Sequence, residues 1–129
     1  MFPTFLTFAP WGLLIIRVAV GLIFLPHGWM KLRDPKVTGQ GLGWSTAAAG
    51  LLGFVETASA LLLILGLLTQ LAALLLGLVM LGAIYYKITK WHKKFTGDGG
   101  WELDLALLGA NIALLFAGGG AWALDRIVF

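Results

Sequence analysis

The chain has 129 residues, 60% of them apolar and only 12% charged, with a net charge of +3. A soluble domain carries roughly 25% charged residues, so a water-facing fold of this size could not be covered with what is left, and the chain belongs in a bilayer. Seven of the nine Lys and Arg residues fall in two short regions, which marks membrane topology rather than a nucleic-acid groove. The lack of cysteine excludes disulfides and thiol chemistry carried by the chain itself.

The opening MFPTFLTFAP has no basic n-region and no small-x-small cleavage site, and it reads as a mature end rather than a signal peptide. A spanning helix needs about 20 mostly apolar residues to cross about 30 Å of hydrocarbon. The first is expected over residues 11–32, after Pro10, a residue suited to a first helical turn. Near its end Pro26 cannot donate to the carbonyl of Leu22, so that oxygen is freed or the helix bends beside His27. A polar stretch, RDPKVTGQGLGWST, forms the loop 33–46. Spans two and three are expected at 47–67 and 69–88, joined by a tight turn within GLLTQL. A basic loop, 89–100, leads to the shortest span, 101–117, which stops at Gly118, Gly119 and Gly120. Short connections make neighbours antiparallel. The expected fold is an all-α membrane protein, one domain over 1–129, with four transmembrane helices in an up-down bundle.

Lys31, Arg33 and Lys36 flank the first loop, and Lys87, Lys90, Lys93 and Lys94 flank the third. The positive-inside rule puts loops 33–46 and 89–100 in the cytoplasm and both termini outside, in a bacterial inner membrane. Trp11, Trp29, Trp44, Trp91, Trp101 and Trp122 all sit near expected helix ends, as an aromatic belt does. At an offset of 56, VGLIFLPHGWMK lies over LGLVMLGAIYYK. Chance matching in a Leu- and Gly-rich chain accounts for that more readily than duplication does.

Arg17 and Glu56 lie well inside expected spans, where each ion costs roughly 2.5–3.5 kcal/mol. Measured from the span midpoints they differ in depth by roughly 7 Å, within reach of an extended arginine. The expectation is a buried Arg17–Glu56 pair, either structural or lining a polar cavity. Ala49, Gly53, Ser59 and Ala60 lie within roughly 60° of Glu56 on a helical wheel. Gly21, Phe24, Gly28 and Lys31 lie within roughly 40° of Arg17. Small residues meeting small residues make a helix interface. His27, with Glu102 and Asp104 expected at its depth, forms a polar mouth able to carry protons or bind a ligand. On the last span Asp104 and Asn111 share a face, with Glu102 turned roughly opposite, and Asn111 is expected to bond across helices. His92 reads as a solvated loop residue. A haem held by His27 and His92 is disfavoured, because one of these histidines sits in a basic loop. No phosphate loop, dinucleotide fingerprint or metal site is expected.

With these residues in hand, the chain resembles the DoxX family of small four-helix membrane proteins. The resemblance rests on RVAVGLIFLPHGWMKL, on GFVETASALLLILGLLTQLAALLL, and on GDGGWELDLALL followed by GGGAWALD. Gly119 stands where the family usually has proline, and Ala123 where it has serine. The resemblance implies a redox association: a membrane subunit of a quinone-linked oxidoreductase, or an anchor for a redox partner. Arg17, His27, Lys31, Glu56 and Glu102 fit its motif. Residues and resemblance together point to a component of an oxidoreductase system with quinone held near Arg17, His27, Glu56, Glu102, Asp104 and Asn111. Glu56 or His27 would exchange protons, and Arg17 would hold Glu56 ionised. Membrane lipids and a redox partner subunit are the expected partners, and the glycine faces are compatible with an oligomer. The competing reading is a non-catalytic anchor or small transporter whose ion pair only fixes packing.

Overall fold

The protein is described by a computed structural model over residues 3–129. Met1 and Phe2, part of the stretch read as a mature end, lie outside the described residues. A 3-10 segment, Pro3–Phe8, leads into α1 (Ala9–Arg33), followed by α2 (Pro35–Leu42), α3 (Thr46–Leu65), α4 (Thr69–Thr89), α5 (Glu102–Ala117) and α6 (Asp125–Val128). No strand occurs among the described residues. Three helical stretches are long and apolar enough to cross a membrane: Thr4–Arg33, Thr46–Leu65 and Thr69–Thr89. The fourth expected span corresponds to α5, whose 16 residues rise roughly 24 Å, short of the about 30 Å of hydrocarbon.

Local chemistry sets most of these boundaries. Pro10 sits in the first turn of α1, where a missing N–H costs nothing. The helix continues through Pro26 to Arg33. Ser45 accepts the N–H of Ala48 through its hydroxyl and caps α3. Gly66, at φ 70°, ends α3 and starts the tight turn into α4, as GLLTQL suggests. The loop 33–46 departs from expectation, because most of it folds as α2. Pro35 presets the first turn, the Asp34 carbonyl accepts the Thr38 N–H, and Gly43 closes the helix in the left-handed region. Gly39 and Gly41 hide that helix from a composition reading.

Helices α1 and α3 pack through their glycines. A Cβ on Gly28 would stand 2.6 Å from the Thr57 nitrogen, one on Gly53 2.5 Å from the Leu32 nitrogen, and one on Gly21 2.8 Å from the Ala60 carbonyl. Only hydrogen at these positions lets the two backbones meet. This is the small-residue interface that the helical wheel indicates. Phe24, Leu63, Ala72, Leu76 and Leu114 fill the centre. Ile15, Leu22, Phe54, Leu61, Leu78 and Phe116 are exposed around the rim. That much apolar side chain facing outward suits acyl tails, not water.

The same glycine contacts fix the register. Gly28 faces Glu56 and Thr57, whereas Gly21 faces Ala60 and Ile64. Extending the register places Arg17 beside Gly66, where an added Cβ would overlap its guanidinium. The first part of α3 runs beyond this interface and packs on α2. The two helix midpoints are therefore not level.

Candidate functional site

That register removes the expected Arg17–Glu56 pair. Glu56 is fully buried, and its Oε1 accepts from the ammonium of Lys31 instead. Lys31 stands 14 residues beyond Arg17 on the same helix, roughly 21 Å along its axis. Arg17 turns to the segment after α5, where Nη1 donates to the Gly119 carbonyl at 3.2 Å and Nη2 to that of Trp122 at 2.8 Å. Asp125 is the acid acting on Arg17 electrostatically. Its carboxylate also accepts the N–H groups of Leu68 and Thr69 at 2.6 and 3.0 Å, while its own N–H donates to the Gly66 carbonyl. Leu68 is thereby held at φ 50°, rare for a bulky residue. Arg17 and Asp125 thus tie the start of α1, the α3–α4 turn and the α5–α6 connection into one knot. Gly119 and Ala123 both touch it, since a Cβ on Gly119 would meet Ala123 at 2.5 Å and Arg17 at 3.2 Å.

The polar residues of the other region converge on a cavity of about 640 Å³, within the usual range for small-molecule sites. Its body is apolar, with Phe24, Val55, Val79, Met80 and Leu107 among its walls. His27, Lys31 and Glu56 line it from α1 and α3, and Lys87 and Asp104 from α4 and α5. Lys87 Nζ lies 2.5 Å from Asp104 Oδ2 and 3.1 Å from the Gly100 carbonyl. Glu56 Oε2 is buried with no hydrogen-bond partner. An unsatisfied carboxylate oxygen in a dry interior costs energy unless something supplies a donor. At the rim the Trp44 indole N–H donates to the Tyr86 hydroxyl at 2.6 Å, Tyr86 meets Trp91 edge-on, and Lys90 lies 4.7 Å above the Tyr86 ring.

The expected site residues therefore divide. His27, Glu56 and Asp104 share the cavity. Arg17 does not line it. Glu102 is exposed on the first turn of α5 and also lies outside the lining, so Asp104 is the one of the two expected acids that shares the cavity with His27. The two acids stand about 200° apart on the helix, so only one of them can face inward. Asn111 is buried, but its amide donates to the Leu107 carbonyl of its own helix at 2.9 Å rather than across helices. Its Oδ1 has no partner. The sequence does not single out Lys87, Trp44, Tyr86 or Asp125 as functional. A signal for Lys87 is nonetheless present, because the offset of 56 aligns it with Lys31.

Three helices of spanning length, an apolar rim and a cavity set with buried ion pairs define a multi-pass integral membrane protein. The chain belongs to the DoxX family, whose model matches residues 12–92. Among similar proteins, the "Uncharacterized membrane protein Rv3486" of Mycobacterium tuberculosis is 37% identical, the match covering 91% of this chain and 81% of that protein. The "Putative oxidoreductase CatD" of Bacillus subtilis is 32% identical over 92% of this chain and 87% of its own length. A Haemophilus influenzae protein named without an activity is 31% identical over 95% and 94% respectively. No solved structure matches the chain at a comparable level.

Proposed function

We propose that the protein is the membrane component of an oxidoreductase system and that its cavity holds a quinone. In this reading the chain is one transmembrane domain, and α5 completes a four-helix, antiparallel up-down bundle. Loops 33–46 and 89–100 face the cytoplasm of a bacterial inner membrane, and both termini lie outside. The observation that carries the proposal is Glu56, fully buried with Oε2 unpartnered, in the lining of an apolar cavity that Lys31 and His27 share. The B. subtilis relative named as an oxidoreductase supports the general class.

The residues fit such a ligand by their chemistry. An apolar wall accepts a flat ring and the start of an isoprenoid tail, and a lysine ammonium donates to a ring carbonyl. A bound quinol would supply two-electron, two-proton chemistry, giving its electrons to a redox partner subunit as its protons leave. Lys31 holds Oε1 of Glu56, the partnership that the sequence suggests for Arg17. Glu56 would then take the proton that a quinol hydroxyl gives up as its electrons leave. His27, exposed along the cavity wall, passes that proton to the mouth. Arg17 serves the fold instead.

The test is quinone in an organic extract of the purified protein, together with equilibrium binding of a short-chain benzoquinol. Glu56→Gln should remain folded and bind the quinol roughly tenfold or more weakly, because a charge-assisted hydrogen bond becomes a neutral one. The anchor or small-transporter reading draws on a different observation, since each buried acid already has a lysine partner and the pairs bridge helices. An extract without quinone, no quinol binding, and a Glu56→Gln variant altered only in stability would select it.

A further inference from the structure

We propose that Lys87 and Asp104 form a second polar anchor in the same cavity. The ligand it selects then carries an acceptor at each end of a flat apolar ring, the 1,4-dicarbonyl arrangement of a para-quinone. This rests on the reading of the cavity as a quinone site and specifies how that site chooses its ligand.

The two anchors are built alike. Lys31 lies in the last turn of α1 and pairs with Glu56 of α3, while Lys87 lies in the last turn of α4 and pairs with Asp104 of α5. All four line one cavity, one pair from each half of the chain. Each lysine also closes an apolar run in the stretches that align at an offset of 56. An ammonium carries three donors. Lys31 uses one on Glu56, and Lys87 uses two, on Asp104 and the Gly100 carbonyl. Among the described residues each keeps at least one N–H for a ligand. Phe24, Val79, Met80 and Leu107 supply apolar surface in the same cavity. A ligand with a single acceptor engages one lysine and leaves the spare donor of the other without a ligand partner. A dione satisfies both.

The experiment uses the full chain in neutral-lipid nanodiscs. Binding of a prenylated 1,4-naphthoquinone is compared with that of the corresponding prenylated 1-tetralone, a stable analogue with a single carbonyl. The wild type should prefer the dione by roughly tenfold or more. The paired variant Lys87→Gln/Asp104→Asn, which keeps a neutral hydrogen bond between the helices, should lose that preference. If neither compound binds the wild type, the quinone reading falls and this proposal with it. If the dione binds but no better than the mono-ketone, or the paired variant keeps the preference, this proposal alone is overturned. Should the paired variant fail to fold, Lys87→Arg decides. Its displaced donor must reduce the preference, and an unchanged ratio refutes the second anchor.

Discussion

Replacing Lys31 by Met tests the ion pair that the structure substitutes for the one legible in the sequence. Met keeps the length and apolar stem of the side chain and removes only the ammonium. Glu56 is fully buried, with Oε2 already unpartnered, so the variant leaves both carboxylate oxygens without a donor. Breaking a buried pair in this way costs about 3–5 kcal/mol. For a chain of 129 residues that corresponds to a fall in Tm of about 10–20 °C. The double variant Lys31→Met/Glu56→Gln should recover most of this loss, because a neutral amide needs no countercharge. Unfolding in detergent, followed by helical circular dichroism, gives both numbers. A cycle with Arg17→Met is the control: Arg17 and Glu56 should add to within about 0.5 kcal/mol, whereas Lys31 and Glu56 should couple by about 1–3 kcal/mol. A Lys31→Met variant that loses less than about 1 kcal/mol, well under the cost of a broken buried pair, would refute the register derived from the glycine contacts. Strong coupling between Arg17 and Glu56 would refute it too.

Two further outcomes are expected. Gly28→Ala should cost about 1–3 kcal/mol, since its Cβ would meet the Thr57 backbone at 2.6 Å, while Gly12→Ala, with open space around it, should be neutral or slightly stabilising in the same melts. The chain has no cysteine, so single-Cys variants report topology directly. Lys36→Cys and Lys93→Cys should react with an impermeant maleimide only when the cytoplasmic face is exposed, and Arg126→Cys only from outside; labelling of all three from one side would remove the up-down arrangement.

Much of the fold was legible because lipid imposes it. Apolar length, interfacial tryptophans and clustered lysines are one-dimensional signals, and the α3–α4 turn followed from the glycine of GLLTQL. The helix in the first loop was not legible, since Gly39 and Gly41 argue against it and only Asp34, Pro35 and Gly43 argue for it. In the site, the wheel correctly put Glu56 and Gly53 on the face that meets α1. It could not give the axial offset between α1 and α3, because helix midpoints are level only when both helices are equally long and centred. The offset decides which cation Glu56 meets. Depth along the membrane is a tertiary quantity, set by where Gly28 and Gly53 let the backbones touch.

Two of the buried charges, Arg17 and Glu56, each keep one polar atom without a hydrogen-bond partner, Nε and Oε2, so it is their surroundings that distinguish them. Arg17 gives Nη1 and Nη2 to two backbone carbonyls and lies in the field of Asp125, and Gly66 and Gly119 approach its guanidinium too closely for a Cβ at either position. Glu56 has one oxygen on Lys31 and the other unpartnered, and the residue belongs to the lining of a cavity large enough for a ring. Both ions are costly in lipid. The arginine offsets that cost by binding α1 to the segment after α5, which Asp125 in turn fastens to the α3–α4 turn. The glutamate joins only α1 to α3, which the glycine contacts already hold together, so its charge is more than packing requires. A purely structural role for Glu56 would be served by a second donor on Oε2. Oε2 has none, and in the proposed reading a ligand in the cavity would supply it.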